Sequence, residues 1–143
     1  MPESKIGKSK DKRDMHYSVG ALIKKDNKFL LIDRAYPPYG FAGIAGHIDK
    51  GENKFKALVR EVKEESNLTI TDYKLLLEEE LNWNFCSKGI RVHYWYLFEC
   101  GVSGIPKRNE RETKSMNWYT IQEIKKLKLE PVWAYWFKKL NIV

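Results

Sequence analysis

The sequence predicts an α/β or α+β fold, with β-prone runs early, one amphipathic helix, further strands and an aromatic helix at the end. Three observations carry that expectation. The runs 17–24 and 28–35 are separated only by Lys25-Asp26-Asn27, which signals a hairpin. Phe55, Leu58, Val59 and Val62 fall at offsets of three, four and seven, so a helix over 53–66 is expected with those four on one face. Ile90, Val92, Tyr94, Tyr96 and Phe98 alternate with the residues between them, the period of a strand over 90–100.

The other elements follow in chain order. Residues 1–15 set Lys5, Lys8, Lys10, Lys12 and Arg13 against Glu3, Asp11 and Asp14 with no recurring apolar position, so a mobile basic tail is expected before a single domain at 16–143. Tyr36-Pro37-Pro38-Tyr39-Gly40 is a loop, because a proline pair cannot sit in a central strand. Residues 69–81 read as a strand, and 82–89 as a turn carrying Trp83 and Phe85. A basic loop over 101–111 precedes a short strand at 115–119. Thr120 is placed to cap a helix through 126, with Glu123 as its capping-box partner. Residues 130–140 form a terminal helix with Pro131 suited to the first turn.

Bulk properties bound the function. The 143 residues suffice for one substantial core, and no apolar run approaches the length of a membrane span. Without an N-terminal apolar stretch, and with only Cys86 and Cys100, a cytoplasmic protein in a reducing compartment is expected. The net charge of +7 is spread over the tail, the late loop and the terminal helix. It suits phosphate-bearing substrates, and equally a generally soluble surface.

The densest chemistry lies at 46–68. Gly46-His47-Ile48-Asp49-Lys50-Gly51-Glu52 is a glycine-punctuated loop, and Arg60-Glu61-Val62-Lys63-Glu64-Glu65-Ser66-Asn67-Leu68 ends the helix that follows. Glu61, Glu64 and Glu65 lie one, three and four positions apart, so they converge on a face away from the apolar one. On an exposed surface their repulsion costs only about 0.2–0.5 kcal/mol per pair. In a cleft it grows to about 4 kcal/mol at 4 Å, and a divalent cation is then needed to hold them. Spacing alone leaves both readings open.

The stretch resembles the Nudix box: Gly, five residues, Glu, seven residues, Arg-Glu, an aliphatic, any residue, Glu-Glu, any residue, Gly, an aliphatic. Gly46, Glu52, Arg60, Glu61, Val62, Glu64, Glu65 and Leu68 fit it, while Asn67 replaces the second glycine. Asn is the next most tolerant residue in the left-handed conformation that such a helix end adopts. The resemblance implies an α/β/α sandwich with a mixed sheet between helices, and a strand at 41–45 leading into the box. It implies Mg²⁺, with Mn²⁺ as a substitute, held by Glu61, Glu64, Glu65 and the Ala45 carbonyl. It also implies a Glu52–Arg60 pair bracing the loop, and Glu61 or Glu64 as the base in hydrolysis of a nucleoside diphosphate linked to another group.

In some relatives the base comes from a later loop, where Glu110 and Glu112 stand here. Glu78, Glu79 and Glu80 are expected to be ordinary surface, because a strand would point them alternately. Gly46, His47, Tyr39, Trp83 and Glu112 are candidate substrate contacts; Tyr36, Phe85 and Trp95 could also stack a base, with Trp95 favoured as core. The proline that marks ADP-ribose-cleaving relatives and the tyrosine of the diadenosine polyphosphate group are both absent after the box. A nucleoside triphosphate or related nucleotide is the default substrate. The alternatives are RNA 5′ ends, with the basic tail as an electrostatic arm, a dinucleotide, or a catalytically silent nucleotide sensor. Oligomeric state is open between monomer and homodimer.

Overall fold

The computed structural model describes residues 3–84 and 89–143; Phe85 and Cys86 lie outside the described residues. The chain runs β1 (Ile6–Lys8), β2 (Asp14–Lys25), β3 (Lys28–Arg34), β4 (Phe41–Ala42), β5 (Ile44–His47), α1 (Lys54–Ser66), β6 (Thr69–Leu81), β7 (Val92–Ser103), β8 (Thr113–Thr120), α2 (Ile121–Ile124) and α3 (Pro131–Lys139).

Local chemistry explains most boundaries. Asp26 and Asn27 take positive φ of 52° and 62°, the mirror-image turn whose twist matches a tight hairpin, and join β2 to β3. Asn53 caps α1 by accepting from the Lys56 amide at 2.9 Å. Asn67 ends the helix at φ 65°, the left-handed position that glycine usually takes. Thr120 and Glu123 form the expected capping box, although α2 stops at Ile124 rather than reaching 126.

β2 is the centre of the sheet. β1 and β5 pair antiparallel along one of its edges, β7 runs parallel on the other, and β6 lies antiparallel outside β7. β3 leaves through the hairpin and carries β4 and β8. Successive residues of β2 and β7 face opposite layers. Leu22, Trp95 and Leu97 meet Val132, Trp133, Trp136 and Phe137 of α3. Ala21, Ile23 and Phe98 meet Ala57, Leu58 and Val62 of α1. Helices therefore cover both faces of a mixed sheet, the α/β/α sandwich that the resemblance implies. No described helix is long and apolar enough to cross a membrane.

Three expectations need correction. Residues 3–8 are not a mobile tail: β1 pairs Ile6 with His16 and Lys8 with Asp14, the Lys5 amide donates to Ile48 O at 2.8 Å, and the Lys50 amide donates to Glu3 O at 2.7 Å. Backbone pairing to a free stretch of β2 needs no apolar side-chain pattern, so composition does not reveal it. The buried face of α1 is Ala57, Leu58, Val62, Glu65 and Ser66, whereas Phe55 and Val59 are exposed. Gly46 and His47 belong to strand β5, opposite Val19 and Ser18, rather than to the loop.

Candidate active site

The loop between β5 and α1 is braced from the helix by Arg60. Its Nε and one terminal nitrogen donate to the two Glu52 oxygens at 2.8 and 2.9 Å, and the same terminal nitrogen donates to His47 O at 2.9 Å. Asp49 lies 3.3 Å away, and Glu52 also accepts from the Asp49 amide at 3.0 Å. Gly51 makes the turn with φ 83°. The Glu52 hydrogen bonds hold Arg60 more firmly protonated than a free guanidinium. The same pair outweighs burial and pulls Glu52 below the ordinary carboxylate range. The pair lies eight positions apart in sequence, and the loop folds back to close it.

The three box carboxylates do not share one environment. Glu65 is buried at 7% exposure, and among the described residues its Oε2 has no hydrogen-bond partner. The Glu61 side chain is 12% exposed and receives an Arg60 hydrogen bond at 2.8 Å. Glu61 packs where Gly46 leaves room; a Cβ on Gly46 would overlap its carboxylate. Glu64 is 55% exposed, at the rim, 3.4 Å from Arg60. Burial pushes Glu61 up to about 7 despite Arg60 beside it. Burial and the facing Glu112 carboxylate push Glu65 well above the usual range.

Glu112 arrives through the loop after β7, which docks on the C-terminal end of α1. The Lys107 and Asn109 amides donate to Ser66 O and Glu65 O at 2.8 and 3.3 Å, satisfying carbonyls that a helix end leaves open. Glu112 O accepts from the Ala35 amide at 2.9 Å, tying the loop to the end of β3.

These groups line one cavity of about 990 Å³. Ala45, Gly46, His47, Glu61, Glu64, Glu65, Trp83 and Glu112 are all on its wall. Tyr36 and Trp95 line it too, and Trp95 is also core at 5% exposure. Tyr39 is not on the wall: it is exposed, with Lys114 over its ring, whereas Tyr36, also exposed, is on the wall. Glu110 is not on the wall either.

Sequence reasoning missed Arg34, Asn84, His93, Asn109, Glu130 and Trp133, which also line the cavity. Arg34 supplies a cation there, its Nε fixed by donating to Pro38 O at 2.7 Å. Its position at the end of a strand before a proline pair was the one available signal, and it marks a loop rather than a site.

The donors fit a hard divalent cation. An orphaned, buried Glu65 oxygen beside Glu61 and Glu112 is a surplus of acceptors over donors, which a cation or added protons would compensate.

Fold and site together define a class: a sandwich of helices about a mixed sheet that presents helix-borne carboxylates to an aromatic cleft. The chain belongs to the Nudix family, matching the NUDIX domain over residues 14–140. It is 38% identical over 72 residues to the asymmetrical bis(5′-nucleosyl)-tetraphosphatase of Caenorhabditis elegans, covering 48% of this chain and 51% of that protein. It is 29% identical over 147 residues to putative nudix hydrolase 1 of the same organism, covering 91% of this chain and 36% of that protein. The chain thus spans about half and about a third of the lengths of these two relatives. Among solved structures it is similar to a MutT NUDIX hydrolase from Burkholderia pseudomallei, with a TM-score of 0.69, 21% identity, and coverage of 78% of this chain and 87% of that one. That likeness concerns the fold. Nudix hydrolases generally use divalent metal ions.

Proposed function

We propose that this chain is a metal-dependent pyrophosphohydrolase that opens a phosphoanhydride in a nucleoside diphosphate linked to another group, with a nucleoside triphosphate or related nucleotide as substrate. The observation that carries the reading is the unpartnered Glu65 oxygen facing Glu112 in an aromatic-lined cavity. Glu61 and Glu65 would hold Mg²⁺, or Mn²⁺ in its place, with Glu64 and the Ala45 carbonyl completing the set. When bound, such an ion would supply charge neutralisation of the diphosphate and a lowered pKa for the attacking water. Glu112, whose carboxyl adjoins Glu65, takes a proton from the attacking water, with Glu61 as the alternative base inside the box. Water adds at phosphorus, the anhydride P–O bond breaks, and the leaving phosphate takes the electron pair. Arg34 offers the phosphates a cation, and Trp83 and Tyr36 offer the base a stacking surface.

Similarity to a bis(5′-nucleosyl)-tetraphosphatase favours one second reading, a dinucleoside polyphosphate as substrate. The RNA reading loses its free arm, because the described N-terminal segment is paired into the sheet and Lys8 and Arg13 are engaged by Asp14 and Asp11. The test is phosphate and pyrophosphate release from nucleoside triphosphates, nucleoside diphosphate sugars and dinucleoside polyphosphates, with Mg²⁺, Mn²⁺ or chelator, alongside Glu65→Gln. Metal-dependent turnover lost in the variant is the expected result, and the best substrate names the class. Tight metal-independent nucleotide binding without turnover on any substrate would replace the enzyme with a sensor.

A further inference from the structure

Three neighbouring strands bring together His47 of β5, His16 of β2 and His93 of β7, all three on one face of the sheet. In the register of the pairs, His16 stands directly opposite His93, and His47 stands opposite Ser18, two residues along from His16. The sheet period of two therefore points all three side chains to the α3 side, the side of Trp95 and Leu97. Ring centroids are 4.5 Å apart for His16 and His47, 5.5 Å for His47 and His93, and 5.8 Å for His16 and His93. One nitrogen from each ring lies within 4.8 Å of the other two.

Nothing in the apolar core requires such a cluster. His16 and His93 are buried at 2% and 1% exposure, and among the described residues no hydrogen bond of normal geometry reaches either ring nitrogen of His93. A buried imidazole with both nitrogens open is rare, since buried polar groups are almost always paired. Two of the rings, His47 and His93, line the same cavity as the box carboxylates.

We infer that His16, His47 and His93 form a second metal site, selective for a divalent transition ion such as Zn²⁺ and separate from the carboxylate site. Imidazole nitrogens suit Zn²⁺, Co²⁺, Ni²⁺ and Cu²⁺, whereas Mg²⁺ takes oxygen ligands. Three nitrogens at the usual Zn–N distance of about 2.0–2.1 Å sit roughly 3.4 Å apart in a tetrahedron. Small ring rotations close the difference from the observed spacing. With three protein ligands a fourth position would stay open, as in catalytic zinc sites, at a site two of whose rings line the cavity. Water or a substrate phosphate oxygen fills it. The site also ties β5 to β2 and β7 immediately before the box loop, so its occupancy orients His47 and the backbone it shares with Gly46. This inference does not depend on the hydrolase reading.

The test is metal binding by the chelator-treated, dialysed full chain. Zn²⁺ stoichiometry is measured by elemental analysis in excess Mg²⁺, and Co²⁺ by the visible absorption of a tetrahedral imidazole site. Wild type should hold one Zn²⁺ per chain against Mg²⁺ and show the Co²⁺ bands. His47→Ala and His93→Ala should each weaken binding by at least about tenfold, while Glu65→Gln should retain it. His93 is fully enclosed, so circular dichroism checks that variant's folding, and half-buried His47 decides the outcome if it does not fold. Binding that persists unchanged in His47→Ala, is displaced by Mg²⁺, or disappears in Glu65→Gln would overturn the site.

Discussion

The chain carries two acidic triplets, and they were built for different ends. On β6, Glu78, Glu79 and Glu80 each find a partner: Tyr94 Oη donates to Glu78 at 2.5 Å, Tyr135 and Lys139 both donate to Glu79, and the Lys10 amide donates to Glu80 at 3.1 Å. Burial raises Glu79, but the Lys139 and Tyr135 hydrogen bonds more than offset it and hold the carboxyl below its ordinary value. On α1, Glu61 and Glu65 are more buried and less satisfied, and both are pushed upward. The same residue type is neutralised by the fold in one place and left needing a cation in the other. Triplet composition says nothing about this; the surroundings decide it.

That contrast can be broken first at Glu65. Glu65→Gln should lower metal-dependent turnover on the best substrate by at least about a thousandfold, measured as initial rates at saturating Mg²⁺. The same change should leave the metal-free protein as stable as wild type or more so in chemical denaturation, because it removes a buried carboxylate without a partner. A metal-free variant markedly less stable than wild type would mean that the carboxylate is structural.

Glu112→Gln sharpens the contrast across the cavity. A general base contributes about 10²–10⁴-fold, so kcat should fall by that order while KM changes little. A loss of less than about tenfold would return the proton-accepting role to Glu61. Mg²⁺ at roughly a hundred times its Kd should stabilise wild type by about 2.7 kcal/mol and Glu65→Gln by much less, read from thermal melts with and without the ion.

Behind the site, Glu52→Gln leaves Arg60 against Asp49 and Glu61 without its main partner. A loss of about 1–3 kcal/mol in stability is expected, together with lower activity as the loop loosens. The smallest effect belongs to the other triplet. Glu79→Gln should cost no more than about 1 kcal/mol and leave kcat unchanged, since its partners are on the surface and outside the cavity wall. If Glu79→Gln impaired turnover as Glu112→Gln should, the division between the two triplets would be wrong.

Much of the fold was legible because it is set by neighbours in sequence. The hairpin at Asp26-Asn27, the Asn67 end of α1, the bounds of β6 and the capping box at Thr120 rest on dihedral preferences and bonds spanning a few residues. The spacing of the box carboxylates was equally local, and the box also implied the Glu52–Arg60 brace, which the loop closes. What could not be read was which residues would be dry. Phe55 and Val59 were expected inside and are exposed, while Glu65, expected on a separate acidic face, is on the buried one. In the rotation observed, Gly46 leaves room for the Glu61 carboxylate and the loop after β7 hydrogen-bonds the carbonyls of Glu65 and Ser66.

By itself the sequence determined most of the secondary elements, though not β1, together with the family and the carboxylates available to a cation. Tertiary structure alone decided that Glu61 and Glu65 are enclosed while Glu64 stays at the rim. It also decided that Glu112 faces them, that residues 6–8 join the sheet, and that three histidines meet. The physical reason is one of range. Turns, caps and helix spacing depend on contacts within about one helical turn, whereas burial and clustering depend on strand register and loop docking between residues tens of positions apart.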